Sequence, residues 1–249
     1  MINFNQVDLT DYLIVNDIFR PIMPSQSLYT KEVYGRRGVY YFDKQDEPLE
    51  IPVEVTIIED SWKSYRELVR ELAGVLSVNE PKRIIFADEP DRYVEGIVDG
   101  STELDDVLYA GQGTITFFCP DPYYYAIEDE VFTHSGEGTE NFTREKGNTE
   151  SFPLIEIEGT NDGGIITLES DSTKIEFDGE LREGETLVFD SDLITAYIEQ
   201  ADGDTRSANN DLNTMDFPYF QVGANQVSVT TSGNANVNEF TIYARSCWK

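Results

Sequence analysis

The feature of this sequence that most constrains the fold is a series of short runs in which apolar and polar residues alternate. The runs follow Phe152 at a spacing of about ten residues, and turn signals such as Asn161-Asp162-Gly163-Gly164 separate them. Because an alternating run can turn one face to a core and the other to water, the pattern predicts an all-β sandwich. The runs comprise residues 154–157, 165–168, 174–177, 186–189, 195–198, 219–222, 226–230 and 239–244.

The first half of the chain mixes strand patterns with one amphipathic helix. Between residues 61 and 76, apolar side chains recur three and four positions apart with charged side chains between them, which predicts a helix with one buried stripe. Asp60 or Ser61 is the expected N-cap of this helix. Strand patterns flank the helix at residues 51–58, 82–87, 93–98 and 113–119.

A change of composition near the middle of the chain predicts its domain organisation. Residues 132–149 are polar and contain several glycines, as is typical of a linker. We therefore expect a first domain over residues 1–131, a linker over residues 132–149 and a second domain over residues 150–249. The predicted fold class is mainly β, with an α+β domain followed by an all-β sandwich.

The net charge narrows the choice of partners. The 249 residues carry 18 Lys and Arg against 48 Asp and Glu, which gives a formal charge of −30. Affinity for nucleic acids and for anionic membranes depends on basic side chains, so neither is an expected partner. The acidity either serves solubility or keeps the surface from adhering to an anionic polymer that passes close by.

The sequence also carries no readable targeting signal. The N-terminus lacks a basic segment followed by an apolar run, and no apolar run is long enough to cross a bilayer. We therefore expect the protein to stay in the cytoplasm until it is assembled into a larger structure.

The residues that support most enzymatic chemistry are scarce. The single histidine, His134, falls in the predicted linker and is expected to be solvated, which excludes a histidine-based triad and a multi-histidine metal site. Cys119 and Cys247 have no neighbouring histidine or basic cluster that would activate a thiolate. Both are expected to be buried free thiols, and a single disulfide between them stays open as an alternative.

Carboxylates are so abundant that close pairs must occur by chance, so a pair of them does not by itself indicate a glycosidase. Asp190-Ser191-Asp192 and Asp202-Gly203-Asp204 do not continue into a calcium-loop pattern and are expected to be turns. We therefore predict no catalytic residues, no metal ligands and no cofactor, and we do not expect an enzyme.

Three stretches of the first half resemble motifs of the distal tail proteins of siphophages that infect Gram-positive bacteria. Residues 4–21, FNQVDLTDYLIVNDIFRP, resemble the opening of that family, with Gln6 where a glycine is common. Residues 86–93, FADEPDRY, are similar to its D-x-P-D-R-Y segment. Residues 113–123, GTITFFCPDPY, are similar to the G-x-x-x-x-F-x-C-x-D-P-Y end of its first domain.

The second half resembles the C-terminal β domain of the same family more weakly, in the same order along the chain. The similar stretches are residues 152–159 (FPLIEIEG), 181–190 (LREGETLVFD), 217–225 (FPYFQVGAN) and 243–248 (YARSCW).

The resemblance implies a fold and a role. The first domain would be a ring-forming β-sandwich or split barrel with one helix, and the second a galectin-like β-sandwich. As a homo-hexamer, the chain would form the hub at the distal end of the tail. That hub would join the tail tube to the adsorption apparatus or baseplate and form part of the DNA-ejection channel, through which DNA passes without specific binding.

The resemblance also implies partners and a location. The partners would be the major tail protein, the tape measure protein, the tail-associated (tail fibre/lysin) protein and receptor-binding or baseplate proteins, with no membrane among them. The location would be the tail tip of the virion, after assembly in the host cytoplasm.

Alternatives remain both for the function of the chain and for the position of one pair of arginines. The chain could instead be a carbohydrate-binding module that recognises host cell-wall glycan, or a wall-degrading enzyme, for which the sequence offers no constellation. The pair Arg36-Arg37 stands either in a hairpin arm that pairs across subunits or in an exposed loop with two solvated arginines.

Overall fold

The computed structural model describes residues 1–100, 104–107, 110–171 and 173–249, which form two compact units. The first unit comprises Met1–Tyr124 together with Lys249, and the second comprises Tyr125–Trp248. The described residues form many short strands and one α-helix, so the predicted mainly-β fold class is confirmed.

The first unit contains one antiparallel sheet, one helix and one separate pair of strands. Its elements are β1 (Ile2–Phe4), β2 (Val7–Asp8), a 3-10 turn (Leu9–Asp11), β3 (Ile14–Ile18), β4 (Gln26–Glu32), β5 (Val39–Asp46), β6 (Leu49–Ile58), α1 (Trp62–Leu76), β7 (Lys82–Phe86), β8 (Arg92–Asp99), β9 (Leu104–Val107) and β10 (Ala110–Cys119).

The sheet of the first unit has the strand order β2-β1-β7-β8-β10-β6-β3, and β9 also pairs with β10. The longest pairing joins β6 to β10, from Leu49 opposite Cys119 to Ile58 opposite Ala110. The alternation predicted in residues 51–58 is confirmed, since every second side chain of β6 from Leu49 to Ile57 is buried. In the same core the rings of Phe4 and Phe117 lie 5.4 Å apart.

Helix α1 begins and ends as the apolar spacing predicts. Ser61 is the N-cap, and its side chain accepts a hydrogen bond from the backbone N–H of Ser64. Tyr65, Leu72 and Leu76 form the buried stripe. No helix among the described residues is long and apolar enough to span a membrane.

The second unit is a sandwich of two antiparallel sheets, ordered β12-β21-β14-β17-β18-β19 and β13-β20-β15-β16. Its core consists of aliphatic and phenylalanine side chains from both sheets. Its strands are β12 (Val131–Ser135), β13 (Gly138–Arg144), β14 (Leu154–Asn161), β15 (Ile165–Ser170), β16 (Lys174–Phe177), β17 (Thr186–Asp190), β18 (Thr195–Glu199), β19 (Thr205–Ser207), β20 (Gly223–Ser232) and β21 (Ala235–Tyr243). Outside these two sheets, β11 (Tyr124–Ala126) pairs with β22 (Cys247–Trp248).

The prediction of a linker over residues 132–149 is wrong. Strand β12 pairs with β21, and β13 pairs with β20, so most of this segment belongs to the sandwich. Its inward side chains are few, and the rings of Phe132 and Phe142 stack 4.4 Å apart between polar, outward-facing neighbours. The polar composition reflects two strands at the edges of their sheets, which need only one apolar face.

One of the predicted strands is also wrong. Seven of the eight alternating runs coincide with strands of the sandwich, but residues 219–222 form only an isolated bridge from Phe220 to Ser151. The side chain of Asn225 accepts from the backbone N–H of Gln221 and donates to its carbonyl oxygen. This side chain takes the place of a strand partner.

Candidate functional site

Strands β4 and β5 form a two-stranded arm that pairs with no other strand of the described residues. Their register runs from Gln26 opposite Asp46 to Glu32 opposite Val39, and residues 33–38 form the turn at the tip. Arg36-Arg37 therefore lies in a hairpin arm, in the exposed turn at its tip, and pairing of the arm across subunits stays a prediction. At the tip, the guanidinium of Arg36 lies 3.6 Å from the ring centre of Tyr40.

The arm exposes an unusual amount of apolar surface. The Phe42 side chain, for example, remains 65% exposed although it lies in a strand. Exposed patches of this size on soluble proteins mark sites of contact with another molecule. The large apolar residues exposed on the arm are Leu28, Tyr29, Val33, Tyr34, Val39, Tyr40, Tyr41 and Phe42.

A carboxylate anchors the root of the arm. Asp46, the last residue of β5, accepts hydrogen bonds from Gln26 at 2.5 Å and from the Tyr123 hydroxyl at 2.6 Å, and it pairs with Lys249 at 2.8 Å. Partial burial acts to raise the pKa of Asp46, but these three donors outweigh it and hold the pKa at about 2. Tyr123 belongs to the D-P-Y stretch that resembles the distal tail proteins, so this stretch fixes the base of the arm.

A groove of about 830 Å³ lies beside the root of the arm. Its walls are residues 18–21 and 47–50, with Ser25 and Phe118. Arg20, in the first wall, binds the carboxylates of Asp88 and Glu89, the latter at 2.9 Å.

Two of the three stretches of the first half that resemble the distal tail proteins line the groove, and Arg20 connects them to the second stretch. Arg20 comes from the opening stretch, and Phe118 from the third. The hydrogen bond that Arg20 donates lowers the pKa of Asp88, which begins the D-x-P-D-R-Y stretch. Arg20 also lies 4.8 Å from the ring centre of Phe86, at the start of the same stretch. These motifs therefore stabilise the groove and the arm.

None of the described residues considered for chemistry lines the groove or belongs to the arm. His134 is not solvated as expected: it lies in β12, stacks on Phe240 with ring centres 5.1 Å apart, and contacts the Glu140 carboxylate at 3.1 Å. Cys119 and Cys247 are both free and buried, and burial raises the pKa of the Cys119 thiol to about 12. The thiol alternative, not the disulfide, is the correct one.

Asp190-Ser191-Asp192 spans the last residue of β17 and the turn after it, and Asp202-Gly203-Asp204 lies in the turn after β18. Asp190 is paired with Arg245, and Asp202 accepts from the backbone N–H of Asp204. Within the described ranges, no three His, Cys, Asp or Glu side chains converge as the ligands of a metal ion would.

The surface of the second unit is strongly acidic. Residues 125–248 contain 6 Lys and Arg against 25 Asp and Glu. Each of the six basic side chains is bonded to acceptors within this unit. Arg144 is buried against Ser151 and two backbone carbonyls, Lys146 binds the carbonyl of Glu128, and the pairs are Lys174–Glu176, Arg182–Glu180, Arg206–Glu185 and Arg245–Asp190.

The first unit is similar to a known family of phage tail domains. The family model of the phage tail protein RIFT-related domain matches residues 7–119. No curated protein sequence matches the chain.

Solved structures match the whole chain in fold. The Dit protein of phage SPP1, described as a paradigm of the hub adsorption apparatus in phages that infect Gram-positive bacteria, covers 97% of this chain and 96% of its own length. The TM-score is 0.79 at 16% sequence identity. A chain of the phage p2 baseplate, in its activated conformation with strontium, covers 95% of this chain and 92% of its own length, with a TM-score of 0.53 at 10% identity.

These matches confirm the recognition made from the sequence, and they support a structural role in a phage tail or baseplate. Residues 7–119 thus match the phage tail protein RIFT-related domain, and the chain as a whole has the fold of the SPP1 Dit protein.

Proposed function

We propose that this chain is the hub subunit at the distal end of a siphophage tail, where six copies form a ring that joins the tail tube to the adsorption apparatus. The observation that carries the proposal is the exposed apolar arm, β4–β5. A lone two-stranded hairpin is at best marginally stable in water, so an arm of this kind favours a partner surface. A closed ring needs each copy to offer two different complementary surfaces.

The groove at the root of the arm is the surface that complements it in this proposal. Each strand of the arm extends for roughly 20 Å, so the tip of an arm stays far from the groove at its own root. The tip of the arm of a neighbouring copy can reach this groove, because the length of its arm does not hold it away. Charge supports the pairing, because the arm, residues 26–46, carries four Lys and Arg against three Asp and Glu, whereas the whole chain has a charge of −30.

The remaining parts of the proposal rest on the resemblance to the distal tail proteins. The first unit forms the ring, and its partners along the tail axis are the major tail protein, the tape measure protein and the tail-associated protein. The second unit projects towards receptor-binding or baseplate proteins. A ring of six would carry about −180 formal charges, so phosphates of the leaving DNA do not adhere to the channel wall. Assembly takes place in the host cytoplasm, and the final location is the tail tip.

The test is the oligomeric state of an arm variant. Light scattering and electron microscopy of the purified chain should show rings of six, and replacement of Tyr34 and Phe42 by Ser should give monomers with an unchanged circular dichroism spectrum. The matched control replaces Met215 and Val222, two exposed apolar residues of the second unit, by Ser and should still form rings. Rings formed by the arm variant would contradict the proposal.

Proteolysis offers an independent readout. Arg36 and Arg37 lie at the exposed tip of the arm, so trypsin should cut there first in the monomer and much more slowly in the ring. Equal rates of cleavage in both states would show that the arm is not covered on assembly.

A further inference from the structure

The hairpin turn between β17 and β18 in the second unit presents two adjacent aliphatic side chains to solvent. Residues 191–194 form the turn, and Leu193 and Ile194 are 69% and 57% exposed. The adjoining strands are otherwise well buried, with burial throughout β17 from Leu187 to Asp190. An exposed pair of large aliphatic residues at the tip of a turn has no role in the core of its own unit.

The backbone of this turn is strained at one of the two residues. Ile194 has a φ of +49°, in the left-handed region that favours glycine and asparagine. A β-branched side chain is among the least suited to that region, and the exposed Ile194 gains no compensating burial. Strained backbone positions cluster at sites of contact with ligands and partners, so the strain at Ile194 adds to the argument from its exposure.

Side-chain bonds hold the turn in a single conformation. The buried Asp190 carboxylate accepts from the backbone N–H groups of Asp192 at 3.1 Å and Leu193 at 3.2 Å. Arg245 donates to both oxygens of the same carboxylate, at 2.7 and 3.0 Å. The backbone N–H of Ser191 donates to the carbonyl of Pro153. The two aliphatic side chains are therefore presented on a rigid support, which lowers the entropic cost of binding.

The surroundings of the turn indicate what it binds. Phe152, which is also exposed, directly precedes Pro153, whose carbonyl accepts from Ser191 of the turn. The unit carries 25 Asp and Glu against 6 Lys and Arg, and all six basic side chains are bonded to acceptors within it, so its surface is net acidic. Two copies of such a surface repel each other, and an anionic glycan is repelled as well.

We infer that residues 191–194 are a docking knob that inserts into an apolar pocket with a Lys- or Arg-rich rim on a different protein of the tail tip. The inference rests on the proposed function, since it requires the chain to be part of a tail. The aliphatic pair supplies the buried contact, and the net negative charge of the unit selects a basic partner.

The first test is a photo-crosslink from the knob in assembled particles. A photoreactive amino acid at position 193 should crosslink to one tail protein other than this chain, in a peptide with Lys or Arg close to the attached residue. The control places the same amino acid at Asp202, in the exposed turn that follows β18, and should not give that product. The inference would be overturned if position 193 crosslinked only to another copy of this chain, or if position 202 gave the same product. It would also be overturned if position 193 gave no product in particles that contain a normal amount of this chain.

The second test separates binding from folding. Ile194→Asn removes the aliphatic side chain and suits the left-handed backbone, so the melting temperature should stay unchanged or rise by up to about 3 °C. The partner identified by the crosslink should then fall at least about tenfold in the particles, a loss that corresponds to a hot-spot contact. Met215→Asn, at another exposed apolar residue of the unit, should leave the partner in place.

The outcomes of the second test distinguish the knob from the proposed function. If the Ile194→Asn chain forms normal rings and its particles keep the full amount of partner, the knob alone is overturned. Absence of this chain from wild-type particles would overturn the proposed function and the knob together. A lowered melting temperature for Ile194→Asn would show that Ile194 serves the fold of its own unit, which also overturns the inference.

Discussion

The two units use their apolar residues in opposite ways. The second unit encloses them between two sheets, and the surface it leaves outside is acidic, with 6 Lys and Arg against 25 Asp and Glu. The first unit has a core of its own but places eight large apolar side chains on an arm outside it. It is also less acidic, with 12 Lys and Arg against 23 Asp and Glu.

This difference separates the tasks of the two halves. A unit that exposes apolar surface on an extended arm is incomplete alone, and its stability depends on the concentration of its partners. A closed sandwich is complete alone and can present a small contact, such as the turn between β17 and β18, without relying on it for stability. The first half of the chain is thus suited to assembly into a ring, and the second half to presenting a small contact surface to another protein.

The difference between the two units is tested most directly by replacing one phenylalanine in each of them. Phe240→Ala removes a fully buried ring from the sandwich core and should cost about 3–5 kcal/mol of stability in the second unit. Phe42→Ala removes an exposed ring from the arm and should change the stability of the dissociated chain by less than about 0.5 kcal/mol.

Hydrogen–deuterium exchange measures the two effects in the same sample, because β14 reports on the second unit and β6 on the first. The exchange should be performed at a concentration at which rings are dissociated. If Phe42→Ala lowered the free energy of unfolding as much as Phe240→Ala does, the arm would be part of a core. The proposed difference between the two units would then be wrong.

The sequence predicted the parts of the fold whose pattern is local. Helix α1 and the strand over residues 51–58 have one buried face, so their apolar spacing identifies them. The sequence left the arm as one of two alternatives for Arg36-Arg37, because a strand exposed on both faces has no alternation, as the run Val39-Tyr40-Tyr41-Phe42 illustrates. A dense run of aromatic residues without alternation was the signal that could have identified it.

Other features depend on residues that are distant in the sequence. Asp46 binds Tyr123 and Lys249, and neither spacing nor composition associates them. Strands β12 and β13 were mistaken for a linker because, with only one inward face each, their few inward residues are diluted by polar outward ones. Edge strands are therefore the elements for which composition is most misleading.

A smaller effect is expected at the root of the arm, and it depends on pH. The pKa of Asp46 in the folded chain, about 2, lies below its ordinary value of 3.8. The ionised carboxylate therefore contributes stability that is complete above pH 3.8 and is lost as the pH falls towards 2. In Asp46→Asn this contribution, of order 1 kcal/mol after allowance for solvent screening, should be missing.

The measurement is the free energy of unfolding of the first unit between pH 5 and pH 2. The wild type should lose more stability over this range than Asp46→Asn, and the difference between them should be largest at pH 5. Asp43→Asn, at an exposed carboxylate of the same strand, is the control and should follow the wild type. Parallel curves for wild type and Asp46→Asn would show that Asp46 does not anchor the arm.

The smallest effect concerns backbone strain, which both units contain. Asn5 and Gln6 form the two-residue turn between β1 and β2, with φ values of +49° and +68°. Such a turn favours glycine at its second position, which explains why a glycine is common there in the family that this stretch resembles. Gln6 is exposed and supports no contact that would require its side chain.

Gln6→Gly should therefore stabilise the first unit by about 0.5 kcal/mol, since relief of the left-handed strain exceeds the extra entropy of glycine in the unfolded chain. Asn5→Gly is the matched control, and it should give no gain because asparagine already tolerates this region. The midpoint of denaturant unfolding measures both changes, and ring formation should be unaffected. If Gln6→Gly instead disrupts assembly, strain in the first unit is also retained for contact, as we infer for Ile194 in the second. The two units would then differ in how much apolar surface they expose, but both would keep a strained residue for contact with another protein.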